Sequence, residues 1–118
     1  MAMNEVLVER IRDVMMDTPN LIERKMFGGV CFTINGYMTC GVQGDDLVVR
    51  VGLEQYENAL NMKHTRPMDF TGRPMKGYVY VATEGTTRKA DLARWVNKGN
   101  AFVSTLPPKK PKKSKPAR

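Results

Sequence analysis

Cations set beside glycines are the residues of this chain best placed to do chemistry. Arg24-Lys25-Met26-Phe27-Gly28-Gly29 stands near the start, and Gly72-Arg73-Pro74-Met75-Lys76-Gly77 about two thirds of the way along. Glycine tolerates positive φ and lets a backbone or a ligand come close, so these charges sit on shaped turns rather than on mobile coil. Arg24, Lys25, Arg73 and Lys76, joined by Arg50 on the outer face of a strand, form a candidate partner-binding set. Arginine offers a planar fork and lysine a point charge to a carboxylate or phosphate. A structural reading competes with this one. The glycine pair admits the chain to a sheet, and Pro74 presets φ for a turn between the last two strands.

Cys31 and Cys40 flank Asn35-Gly36, a strong hairpin signal. A two-residue loop pairs 34 with 37, 33 with 38, 32 with 39 and 31 with 40. The thiols would then stand directly opposite each other, with Cα atoms about 4.5 Å apart and within disulfide reach. They form a candidate redox pair; two reduced, half-buried small hydrophobes are the alternative. Met38 is expected to share a face with Cys31, Thr33 and Cys40. Such a mixed face suits a homodimer if the helices cover the other side.

Little else supports catalysis. The glycines contain no nucleophile elbow, P-loop or dinucleotide fingerprint, and Asp45-Asp46 reads as a turn pair. His64, the one histidine, sits in a polar stretch, and two cysteines with a distant histidine do not make a zinc site. The expectation is a protein that is not an enzyme, with no catalytic residue, cofactor or metal.

The formal charge of +7 over 118 residues resembles a nucleic-acid signature until its position is considered. Beyond Pro107 stand six cations, Lys109, Lys110, Lys112, Lys113, Lys115 and Arg118, and no acid. The body keeps thirteen cations against twelve acids, so the nucleic-acid argument belongs to the tail alone. With its prolines and no aromatic or β-branched residue, 107–118 is expected to be a disordered tail behind a single domain over 1–106. No run approaches the length of a membrane span, and the N-terminus lacks a signal-peptide pattern; a cytoplasmic location is the default.

The elements that must position these groups follow from periodicity. Asn4 caps a helix with Leu7, Ile11, Val14 and Met15 on one stripe, and Pro19 stops it. Strands are expected at 30–34, 37–42 and 47–51, then a helix over 54–62. Met68-Asp69-Phe70 and Tyr78-Val79-Tyr80-Val81 supply two more strands. Thr86 or Thr87 caps a last helix carrying Leu92, Trp95, Val96, Gly99, Phe102 and Val103. The order α-β-β-β-α-β-β-α describes an α+β fold with helices packed on one face of an antiparallel sheet.

Arg24 to Val30, the Asn-Gly hairpin, Leu47 to Gly52 and Phe70 to Tyr78 together resemble the N-terminal domain of the TfoX/Sxy family, over about Asn4 to Leu106. The resemblance implies a fold similar to secretion chaperones and a link to regulation of natural competence, where full-length members are transcriptional coregulators. Those members carry a second, helical domain, so this chain resembles a stand-alone N-terminal-domain member. The expected function is a regulatory protein-interaction module with a protein partner; the alternative is nonspecific nucleic-acid association through the tail.

Overall fold

The computed structural model describes residues 4–26, 29–68 and 75–107. Helix α1 (Glu5–Val14) begins where its cap was expected: Asn4 Oδ1 accepts a hydrogen bond from the Leu7 amide at 3.0 Å. Leu7, Val8, Ile11 and Met15 form its buried stripe. The chain then adds a strand that the pattern did not announce, β1 (Leu21–Met26), before β2 (Gly29–Ile34), β3 (Tyr37–Gln43) and β4 (Asp46–Arg50). Among the described residues strand β1 lies at the sheet's edge, with a neighbouring strand on one side alone, and charges on such an edge guard against aggregation. Its Glu23-Arg24-Lys25 run therefore hides the apolar alternation by which strands are recognised.

After β4 come helix α2 (Leu53–Leu60), strand β5 (Thr65–Pro67), strand β6 (Tyr78–Val81), a short 3₁₀ turn at Thr83–Gly85 and helix α3 (Lys89–Ser104). The expected α+β order is thus present, with β1 inserted between its first helix and its first strand. The fifth strand forms at Thr65–Pro67, just before the expected Met68-Asp69-Phe70, of which Asp69 and Phe70 lie outside the described residues. Among the described residues the strands form one antiparallel sheet in the order β1-β2-β3-β4-β6-β5. Helix α3 starts after Arg88, with no side-chain cap. The Thr86 hydroxyl instead donates to the Thr83 carbonyl, 3.2 Å away, and closes the 3₁₀ turn.

Among the described residues, helices α1, α2 and α3 pack on one face. Ile11 of α1 and Met15 at its C-cap, Tyr56 and Ala59 of α2, and Leu92, Trp95 and Val96 of α3 share a core with Phe32, Cys40, Leu47, Val49, Val79 and Val81. The opposite face carries a smaller cluster of Val48, Met68 and Tyr80, flanked by Met38 and Tyr78.

A β-bulge decides which strand residues join which face. Asn35 and Gly36 both adopt positive φ, 54° and 86°, as a tight hairpin turn requires. Pairing then runs Ile34 with Tyr37 and Thr33 with Met38, but next Phe32 with Cys40 and Cys31 with Gly41. Thr39 is the extra residue. The expected 31-with-40 register is therefore wrong by one residue. Cys40 joins Phe32 on the helix side, while Met38, Thr33 and Cys31 stay on the other. That other face is already covered within one chain, since Cys31, Thr33, Val48, Met68 and Tyr80 are all buried. It is not the open mixed face expected to join two subunits.

Helix α3 rests directly on the bulge. Thr39 is fully buried, and its hydroxyl donates to Asn100 Oδ1 at 2.8 Å. Gly99 faces the same residue, and a Cβ there would stand 2.5 Å from the Thr39 carbonyl oxygen. Overpacking against backbone cannot be relieved by a rotamer change, so Gly99→Ala is expected to lower stability by about 1–3 kcal/mol. Urea unfolding checks this; an unchanged midpoint would show that α3 can ride higher on the sheet.

Candidate partner-binding site

Arg24 and Lys25 are neighbours on a strand and so point to opposite faces. Arg24 pairs with Cys31 and lies on the outer face. Lys25 pairs with Val30 on the helix face, bordering a hollow lined by Glu5, Glu9, Arg12 and Glu23. Arg50 ends β4, three strand positions from β1, which is at least about 14 Å. Lys76 is exposed in the turn before β6, close to Arg50, because the Gly77 carbonyl accepts from the amides of Val51 and Gly52. Arg73 and the tail cations Lys109, Lys110, Lys112, Lys113, Lys115 and Arg118 lie outside the described residues. The fold brings Arg50 and Lys76 together and holds Arg24 and Lys25 apart from them.

The neighbourhood of Lys25 is already neutralised. The Arg12 guanidinium binds Glu23 through two hydrogen bonds, at 2.8 and 2.6 Å, and Glu9 through a third at 2.6 Å. These bonds hold the Glu23 carboxyl below the usual carboxylate range, with the Arg12 and Lys25 charges acting in the same direction and burial opposing.

Arg50 is in a different situation. Its guanidinium carbon lies 5.3 Å from the Phe102 ring centre, 5.5 Å from Tyr78 and 5.8 Å from Tyr37. Each is a cation–π distance. Tyr37 is itself anchored, its hydroxyl donating to the Pro107 carbonyl at 2.6 Å. Among the described residues no carboxylate lies within ion-pair distance of Arg50. Arg66, on the same sheet face, stacks on Tyr80 at 4.8 Å and also pairs with Asp46.

Phe102 connects Arg50 to a groove. Glu54, Asn58 and Met62, with Ala59 beside them, follow helical spacing along α2 and its C-terminal turn. Lys98, Ala101, Phe102 and Thr105 do the same along α3. Between the two rows lies a cavity of about 610 Å³, within the size range of ligand pockets. Leu53 at its mouth is 70% exposed and Met62 39%. A second hollow of about 500 Å³ continues past Met62 and Lys98 to His64, Glu84, Asp91 and Arg94. His64 is exposed there, as its polar surroundings suggested. Helical spacing alone puts Phe102 on the α3 stripe and does not single out Leu53 or Lys98. The available signal was Leu53, an apolar residue at the first position of a helix whose inner stripe is Tyr56 and Ala59.

The two thiols fit a packing role. Cys40 is fully buried with its Sγ 3.9 Å from the Met15 sulfur, and Cys31 is buried on the other face. Burial pushes both thiols above their ordinary range; the Arg24 charge partly offsets this for Cys31. Both cysteines are free. Among the described residues no group of three or more His, Cys, Asp and Glu is placed to hold a metal, and no helix is long and apolar enough to cross a membrane.

The TfoX N-terminal domain profile matches residues 13–103, well over half of the chain, and spans β1, the bulged hairpin, Arg50 and most of α3. The chain belongs to the TfoX N-terminal domain family. No curated protein and no solved structure matches it. In this TfoX N-terminal domain the matched segment contains Arg50, all of α2 and every groove-lining residue except Thr105.

Two outcomes follow from these arrangements. Glu23 is held below its unfolded value, so its bridge to Arg12 contributes fully above the unfolded glutamate pKa, about 4.3, and is lost as pH falls through the lower folded value. Glu23→Gln should therefore cost less than about 1 kcal/mol at neutral pH, given the exposure of both groups, and nothing well below the carboxylate range. Urea midpoints across pH measure it. The thiols should resist iodoacetamide in the native protein, with Cys40 labelled only on global unfolding. Rapid native labelling of Cys40, read by mass spectrometry, would contradict its burial.

Proposed function

We propose that this TfoX N-terminal domain is a regulatory protein-interaction module, without catalysis of its own, that receives a partner segment between α2 and α3. The observation that carries this reading is the groove, with Leu53 and Met62 displayed at its edge and Phe102 at its end. Large exposed apolar side chains gathered around a concavity cost solubility unless something covers them. Membership of the family supports a competence-related regulatory role, and transcriptional coregulation is the form proposed for it.

A photo-crosslinking amino acid at exposed Ala101, in the cell that produces the protein, should yield a discrete protein adduct. Leu53→Glu should reduce that adduct by about tenfold, because it replaces an apolar anchor with a charge that the partner's apolar surface would have to desolvate. The same variant should fail to restore transcript levels in a deletion strain that the wild type restores. Full restoration by Leu53→Glu would count against the groove.

A second reading rests on the six cations beyond Pro107. In that reading the tail gives salt-sensitive, sequence-independent affinity for nucleic acid, with a log–log salt slope of up to about −5 on duplex DNA. Removing 107–118 should then abolish retention on DNA at low salt; retention by the shortened chain would place the contact elsewhere.

A further inference from the structure

We propose that the segment received between α2 and α3 is an acidic amphipathic peptide, seating apolar side chains in the groove and a carboxylate on Arg50. This rests on the interaction-module reading and names the partner's chemistry.

The first argument is contiguity. Phe102 lines the groove and also lies beside the Arg50 guanidinium. Gly52 makes this possible: it adopts φ 85°, and a Cβ there would stand 2.5 Å from the Phe102 ring. The ring is thus wedged between the backbone at the β4–α2 junction and the charge at the end of β4. A segment leaving the groove past Phe102 meets Arg50 next.

The second argument compares two arginines of one chain. Arg66 lies against Tyr80 and its N–H groups meet the Asp46 carboxylate. Arg50 lies among three rings and, among the described residues, meets no carboxylate. Rings satisfy the charge of a guanidinium but not its in-plane donors, which bind carboxylates in a planar fork.

The third argument is charge around the groove. Lys98 lines both hollows and lies 6.0 Å from the Trp95 ring, and Lys76 stands in the turn beside Arg50. Neither has a carboxylate within ion-pair distance among the described residues. In the second hollow Arg94 is paired with Asp91, and both Lys63 and Glu84 are among the lining residues. Glu54 is the acid of the apolar groove, against Lys98 inside it and Arg50 at its end. An apolar floor with cations at its margin fits a peptide bearing both aliphatic and acidic side chains. A nucleic-acid backbone has no aliphatic groups to fill that floor.

The test is selection of peptides from a random display library on the immobilised full-length protein, followed by affinity measurements on the selected sequences. Apolar residues at helical or alternate spacing, with Asp or Glu flanking them, are expected. Ala101→Glu should abolish their binding. Replacing the peptide's acid with its amide should weaken binding to the wild type by about tenfold, the usual worth of a charged hydrogen-bonded pair, and leave binding to Arg50→Gln unchanged. Should Arg50→Gln fail to fold, Arg50→Lys serves in its place and should show a reduced penalty for the amide.

Peptides that Ala101→Glu blocks, but whose affinity ignores the acid, would overturn the carboxylate assignment and leave the interaction module standing. Absence of any peptide blocked by Ala101→Glu would remove the groove from both readings. Competition for Arg50 by a short DNA duplex, lost in Arg50→Gln, would overturn the proposal in favour of a phosphate ligand.

Discussion

The close approach of α3 to β3 is the constraint on which the rest of the molecule depends. Gly99 lets the helix come within touching distance of the Thr39 carbonyl, and Thr39 itself bulges towards the helix to bind Asn100. A buried hydroxyl needs such a partner, and a helix this close needs a residue without a side chain. The contact sets the height of α3 over the sheet. It thereby sets where the last turn arrives: Phe102 against Gly52, and Pro107 within reach of Tyr37. The floor of the groove is a consequence of this docking as much as of α3's own sequence.

The same bulge sorts the cysteines. An extra residue in one strand shifts the register beyond it, and side chains that regular pairing would place face to face are separated by the thickness of the sheet. Cys40 becomes part of the core beside Met15, and Cys31 is buried on the opposite face. Both faces of the central strands are then covered, so charges are left for the edges, the ends and the turns. Three arginines around the sheet show three different solutions. Arg12 is saturated with carboxylates, Arg66 has a ring and a carboxylate, and Arg50 has rings. The differences among these three matter more than the net charge, because a cation already paired offers little to a partner.

The concavity of this TfoX N-terminal domain is a seam between two helices. Helices α2 and α3 both pack on the sheet, yet their facing rows leave a cavity of about 610 Å³ between them. The apolar residues at its margin and the cation beside its last ring belong to different elements, α2, β4 and α3, that meet around Gly52. Such a junction can register a partner's presence in several elements at once, which suits a regulatory domain.

Much of this was legible in the amino-acid order, because it depends on local chemistry. Asn4 as a cap, Asn35-Gly36 as a hairpin turn and the α3 stripe of Leu92, Trp95, Val96 and Val103 are read from propensity and period alone. The motifs also carried the family resemblance, which the profile match bears out. Strand β1 escaped because an edge strand carries charge where alternation would show it, and the bulge at Thr39 escaped because nothing local distinguishes a residue that will lean towards a helix sixty positions away. The candidate site was legible only as types of residue. Arg50 and Lys76 could be named, but their separation from Arg24 and Lys25, and the pairing of Arg50 with Phe102, were decided by strand order and helix docking, which are relations between distant parts of the chain.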